Sequence, residues 1–117
     1  MKIIAIDFDG TVVEDKFPEI GEIIRDNDYC SVDVINELHA VGHKIIIWTC
    51  RCGIYLYEMI QWINQHEMLY NTINSNAINC MGHAMPKVRA DCYIDNNNFG
   101  GRPKWDDIYL KLIGDWR

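Results

Sequence analysis

Ile3-Ile4-Ala5-Ile6 is an unbroken apolar run that stops at two carboxylates one residue apart, Asp7 and Asp9, followed by Gly10 and Thr11. A short continuous apolar run bounded by a turn signal reads as a strand buried on both faces, of the kind found in the middle of a parallel sheet. Asp7 then stands at the carboxyl end of that strand. Open α/β sheets bind their ligands along this edge. Two acids there repel one another unless something positive joins them. The simplest candidate is a hard divalent cation with oxygen ligands, such as Mg²⁺. Asp and Gly are also ordinary turn residues after a strand, so the pair gains weight only if further polar groups recur at matching strand ends.

They do recur. Ile45-Ile46-Ile47-Trp48 is a second buried run, and it ends in Thr49-Cys50-Arg51. A hydroxyl at a strand end can donate to a phosphate oxygen, and backbone amides at the following helix start can do the same. Arg51 would either add a charge-assisted contact to substrate or face solvent. Cys92-Tyr93-Ile94 is a shorter strand ending at Asp95-Asn96. Asp91 lies at its opposite end, well over 10 Å from Asp95 at ~3.3 Å per residue, and reads as structural. Tyr70–Asn74 is a weak further strand.

Between these strands, residues 12–30 have no sustained period, and Pro18 and Gly21 break any helix, so the stretch reads as a flap or loop over the strand ends. Ser31 is placed to cap a helix through about Val41, with Val34, Ile35, Leu38 and Val41 as its stripe and Gly42 at its end. Gly53 to about His66 is the next helix. Its residues Ile54, Leu56, Tyr57, Met59, Ile60, Trp62 and Ile63 wrap nearly the whole circumference, which implies burial on more than one side. Either one of those sides is a homo-oligomer contact through residues 54–63, or the helix has a wide core face plus a few exposed aromatics. Residues 75–86 read as a loop. Within them Cys80-x-x-His83 is too small a set for a zinc site. Phe99–Pro103 reads as a loop near the substrate mouth, and Trp105–Ile113 as a final helix with Asp106 and Asp107 in its first turn.

A chain of 117 residues supports one domain, residues 1–117. No apolar run is long enough to span a membrane, and the start lacks a cleavage signal. The five cysteines show no framework spacing and read as reduced thiols of a cytoplasmic protein. The net charge is −6, and ten of the seventeen acids fall in the first third of the chain, which argues against a protein that coats nucleic acid non-specifically. Lys87, Arg89, Arg102 and Lys104 gather late, toward the expected site.

Asp7-Phe8-Asp9-Gly10-Thr11-Val12 resembles the first motif, DxDGT(V/L), of the haloacid dehalogenase superfamily, most of whose members are Mg²⁺-dependent phosphohydrolases. Thr49 matches its second motif, and Lys87 and Asp95 its third and fourth. The wording Lys…Ala-Asp-x-Tyr-Ile-Asp is similar to the small phosphatases and nucleotidases of this group. The resemblance implies a three-layer, Rossmann-like parallel sheet with helices on both faces. It also implies catalysis by Asp7, Asp9, Thr49 and Lys87, with an aspartyl-phosphate on Asp7 and Asp9 as acid and base. Phosphate would be held by Thr49, Lys87 and the Phe8, Gly10, Thr11, Cys50 and Arg51 region. Mg²⁺ would be held by Asp7, the Asp9 main-chain carbonyl, Asp95 and Asn96. Relatives usually carry a second acid where this chain has Asn96, so the site is one negative charge poorer.

The intervals Asp9–Thr49 and Thr49–Lys87 leave no room for a cap domain, which implies an open site. Such a site suits a nucleotide, a nucleic-acid end or another phosphorylated molecule, small or macromolecular. Two other classes stay open. A receiver-type domain would place an acid where Thr72-Ile73-Asn74 stands, and a regulatory or interaction domain would bind phosphate or metal without turnover.

Overall fold

The computed structural model describes residues 1–75 and 88–114. In chain order the elements are β1 (Ile3–Asp7), β2 (Val13–Lys16), β3 (Glu19–Ile23), β4 (Arg25–Asp26), β5 (Tyr29–Cys30), α1 (Ser31–Ala40), β6 (Lys44–Trp48), α2 (Gly53–Gln65), β7 (Thr72–Ile73), β8 (Cys92–Ile94) and α3 (Trp105–Tyr109), which runs on into a π-helical turn at Leu110–Gly114. β7, β6, β1 and β8 form a four-stranded parallel sheet in that order. The fold is mixed α/β, a parallel sheet flanked by helices, compatible with a Rossmann-like arrangement. β1 is interior, as its continuous apolar run requires.

Side chains alternate across the sheet. Ile4, Ile6, Ile45, Ile47 and Ile94 share one face and are buried with Val34, Ile35 and Leu38 of α1, Met59 and Ile63 of α2, and Trp105 and Ile108 of α3. Ala5 and Ile46 point the other way, into a smaller cluster with Val88, edged by Trp48 and Tyr93. The described helices thus pack on one face; the connection 76–87, which includes Cys80, His83 and Lys87, lies outside the described residues. Truncating a central isoleucine such as Ile47 to Ala would cost ~2–5 kcal/mol.

Several expectations change. The stretch 12–30 is two antiparallel hairpins, β2–β3 and β4–β5, rather than an irregular flap. Their strands are short and largely exposed, so they carry no periodic signal. Ser31 is the first residue of α1, not its cap. Its hydroxyl donates to the Val12 carbonyl at 2.7 Å, pinning the helix start to the loop after β1. α2 buries only Met59 and Ile63 and leaves Ile54, Tyr55 and Tyr57 exposed, so it is a one-sided helix with an apolar outer face. Arg102 is committed away from any substrate: Nη1 and Nη2 donate to the two Asp26 oxygens at 2.7 and 3.0 Å, and Asp26 also accepts from the Trp105 amide at 2.8 Å. The Arg102 hydrogen bonds hold the Asp26 carboxyl below the usual carboxylate range. That pair ties the β4–β5 hairpin to α3.

Asp91 is structural, as read: its carboxylate accepts from the Ile3 amide at 2.7 Å and its own amide donates to the Ile3 carbonyl. Cys30, Cys50, Cys52 and Cys92 are free thiols. Among the described residues no helix is long and apolar enough to cross a membrane.

Candidate active site

Parallel register sets the site. Ile6 is level with Ile94 and Asp7 with Trp48. The next residues along β8 and β6 are Asp95 and Thr49, so the carboxyl edge of the sheet carries Thr49, Asp7 and Asp95 on three adjacent strands. This edge opens into a cleft of about 330 Å³ lined by Asp7, Asp9, Asp15, Phe17, Thr49, Cys50, Arg51, Asn96 and Asn97.

The loop after Asp7 is a tight turn. The Phe8 carbonyl accepts from the amides of Thr11, Val12 and Val13 at 3.2, 2.9 and 3.3 Å, and the Gly10 amide donates to the Val13 carbonyl at 2.7 Å. The amides of Gly10 and Thr11, expected to meet phosphate, are therefore spent inside the turn. Phe8 is fully buried, edge-on to Trp62 at 5.3 Å. Thr11 is also fully buried, and its carbonyl accepts from Trp105 Nε1 at 2.9 Å. The Phe8 ring and the Thr11 carbonyl anchor the turn from within the core, and neither residue lines the cleft.

Arg51 is neither a solvent-facing residue nor a phosphate contact here. Its side chain is 1% exposed, and Nε and Nη2 donate to Asp9 Oδ2 and Oδ1 at 2.7 and 2.8 Å. Its remaining donors reach the carbonyls of Pro18, Glu19 and Tyr55. One guanidinium thus fastens Asp9 to the tip of the β2–β3 hairpin and to the first turn of α2.

Thr49 is held by a residue that the sequence did not single out. Asn74 Oδ1 accepts from the Thr49 amide at 2.8 Å and Nδ2 donates to the Thr49 carbonyl at 2.9 Å. The side-chain amide continues the ladder one step beyond the two-residue β7. Asn71 begins it in the same way, accepting from the Ile45 amide at 2.8 Å. Two asparagines flanking Thr72-Ile73 were the available signal. No carboxylate stands where a receiver domain would need one. The Thr49 hydroxyl oxygen accepts from the Arg51 amide at 3.0 Å, which leaves its proton free to donate.

Asp7 and Asp95 are linked through Asn96. With its nitrogen turned toward the acids, the Asn96 amide donates to Asp7 Oδ2 at 2.8 Å and to Asp95 Oδ1 at 3.0 Å. Turned that way it braces the acids; turned the other way its carbonyl oxygen joins theirs around a cation. Burial, then the Asp95 charge, with smaller pushes from Asp9 and Asp15, raises the Asp7 pKa to about 7, against a hydrogen bond from the Phe8 backbone. Among the described residues no three His, Cys, Asp or Glu side chains converge as a metal cage. Mg²⁺ does not need one: it is commonly held by one or two carboxylates and completed by water and substrate phosphate. Asp7 and Asp95, whose charges push on one another across this edge, fit that donor set.

No protein-family model and no curated protein matches the chain. It is similar to a solved structure, the conserved protein coded by a locus from Bacteroides thetaiotaomicron, at 34% identity and a TM-score of 0.85, over 99% of this chain and 92% of that one.

Proposed function

The chain belongs to the family of that conserved Bacteroides thetaiotaomicron protein, and we propose that it is a capless, Mg²⁺-dependent phosphomonoester hydrolase of the haloacid dehalogenase type. The observation that carries this reading is the side-by-side placement of Asp7, Thr49 and Asp95 at the ends of three adjacent strands, the first two lining one cleft with Asp9, which Arg51 fixes.

A phosphate ester is anionic and repels a carboxylate nucleophile. Mg²⁺ held by Asp7, Asp95 and the Asp9 main-chain carbonyl would cancel that repulsion and orient the phosphoryl group. An Asp7 oxygen then forms a bond to phosphorus as the bond to the leaving oxygen breaks. The leaving oxygen takes a proton from Asp9. In the second step water attacks the aspartyl-phosphate, Asp9 takes the water's proton, inorganic phosphate leaves and the Asp7 carboxylate is restored. Thr49 donates its hydroxyl proton to a phosphoryl oxygen as charge shifts. Lys87, by the resemblance, would add a positive charge beside it. The Arg51 pair fixes the orientation of the Asp9 carboxylate, and each oxygen keeps a second lone pair outside that pair for the water's proton. For the first step one oxygen must leave Arg51.

Phosphate release from p-nitrophenyl phosphate tests this reading, in Mg²⁺ and in EDTA, for the native chain and Asp7→Asn. Turnover that needs Mg²⁺ and vanishes in the variant is expected. A folded protein that binds Mg²⁺ but cleaves nothing would favour the non-catalytic alternative. Failure to bind Mg²⁺ would overturn the site assignment.

A further inference from the structure

Phe17 occupies the tip of the β2–β3 hairpin and lines the cleft with Asp7, Asp9 and Thr49. It is 52% exposed and so open to the cleft. The ring is held on two sides. Tyr55, 39% exposed, meets it edge-to-face at 5.2 Å, and the Arg51 guanidinium lies over it at 5.0 Å. Arg51 also binds the Pro18 and Glu19 carbonyls beside it. The same guanidinium that fixes Asp9 therefore fixes an aromatic wall beside the acid, and a wall already ordered loses little freedom when a ligand packs on it.

The rest of the mouth is acidic. Asp15 joins Asp7 and Asp9 in the cleft lining, whereas Glu14, Glu19 and Glu22 line a separate pocket of the hairpin together with Lys16. Asp15 lines the cleft and accepts from the Phe17 amide at 3.3 Å. Arg51, the one cation among the described lining residues, is spent on Asp9. Anionic charge beyond the reacting phosphate finds repulsion here and no partner among the described residues lining the cleft.

We infer that the substrate is a monoester whose leaving group is flat, aromatic or heteroaromatic, and not itself anionic, stacking on Phe17 while its phosphate lies at Asp7. This rests on the hydrolase reading and narrows it: a nucleoside monophosphate or another aromatic monoester fits, whereas a nucleic-acid end or a polyphosphate does not. Stacking on an aromatic ring accepts any π-face, so the wall selects a class and not one base.

The test compares benzyl phosphate with cyclohexylmethyl phosphate, esters of similar size that both release a primary alcohol. We expect kcat/KM to favour the benzyl ester about tenfold, toward the low end of what base–aromatic stacking supplies. The preference should disappear in Phe17→Ala and return in Phe17→Tyr, read as the ratio of kcat/KM for the two esters within each protein. Equal use of the two esters by the native chain, or a preference that survives Phe17→Ala, would overturn the inference and leave the hydrolase reading standing. Calorimetry in Mg²⁺ with benzylphosphonate and cyclohexylmethylphosphonate reads the wall without turnover. A benzyl preference there in a protein that hydrolyses nothing would overturn the hydrolase reading alone. Equal or absent binding of both phosphonates would overturn the wall. For the charge, 4-carboxybenzyl phosphate should be used less well than benzyl phosphate, and Asp15→Asn should narrow that gap. No discrimination by the native chain would overturn the exclusion of anionic leaving groups.

Discussion

Arg51 meets Asp9 through two parallel bonds, Nε to Oδ2 at 2.7 Å and Nη2 to Oδ1 at 2.8 Å, across 42 residues of sequence. The pair is buried on the arginine side and closes the cleft's floor onto its hairpin. Arg51→Ala would leave the Asp9 charge and the carbonyls of Pro18, Glu19 and Tyr55 without their donor. Breaking one side of a buried pair costs ~3–5 kcal/mol, and that loss is expected in urea unfolding at neutral pH. Arg51→Lys keeps the charge but not the planar double contact, so it should recover only part of the stability. Matching midpoints for all three proteins would show the pair to be incidental.

Gly10 is the site's tightest backbone position. Its φ is +84°, and a Cβ there would lie 2.5 Å from the Asn96 amide that braces Asp7 and Asp95. Gly10→Ala should therefore damage both the turn and the brace. Gly42, at φ +102° with nothing within 4 Å, faces only the backbone penalty. Gly42→Ala is expected to cost ~1 kcal/mol with turnover intact. Gly10→Ala should lower kcat/KM at least tenfold and cost more in stability. Comparable effects of the two substitutions on turnover would argue against the brace.

Asp7 predicts a pH signature. Its folded-state pKa of about 7 lies above the ~3.9 of an unfolded aspartate. Between those values the folded protein binds more protons, so stability falls as pH rises through the window, and the full penalty stands above about 7. Asn at this position has no such proton. In EDTA, Asp7→Asn should melt close to the native protein near pH 4, then progressively higher, by several degrees near pH 8. Mg²⁺ should narrow that gap by binding the native acids. Parallel melting curves across the window would contradict the crowding of Asp7 and Asp95.

Asn74 is the remaining support for Thr49, with φ +54° and two bonds to the Thr49 backbone. Asn74→Gly keeps the backbone conformation accessible and removes only the amide. Two lost hydrogen bonds suggest ~1–2 kcal/mol, and a loosened Thr49 should lower kcat more than it raises KM, because the hydroxyl contact strengthens as charge develops. An unchanged kcat would leave Asn74 a structural residue only.

Asp7, Thr49 and Asp95 were legible because each closes an apolar run, and parallel pairing of such runs places their ends side by side. The helices α1 and α2 and the strand β8 followed from period and turn residues in the same way. The hairpins were not legible: β2 to β5 are two to five residues long and mostly solvated, so no face of them is selected for burial. The one-sided burial of α2 was hidden for the opposite reason, since apolar residues occur on its exposed face as well.

What the sequence by itself determined is which residues end the strands, because that depends on neighbours within a few positions. Tertiary structure decided how those residues are held. Arg51 finds Asp9, Asn74 finds Thr49, and Asn96 lies against Gly10 between two acids. Each is a contact between residues 25 to 86 positions apart, made through hydrogen-bonding geometry that leaves no periodic trace in the chain.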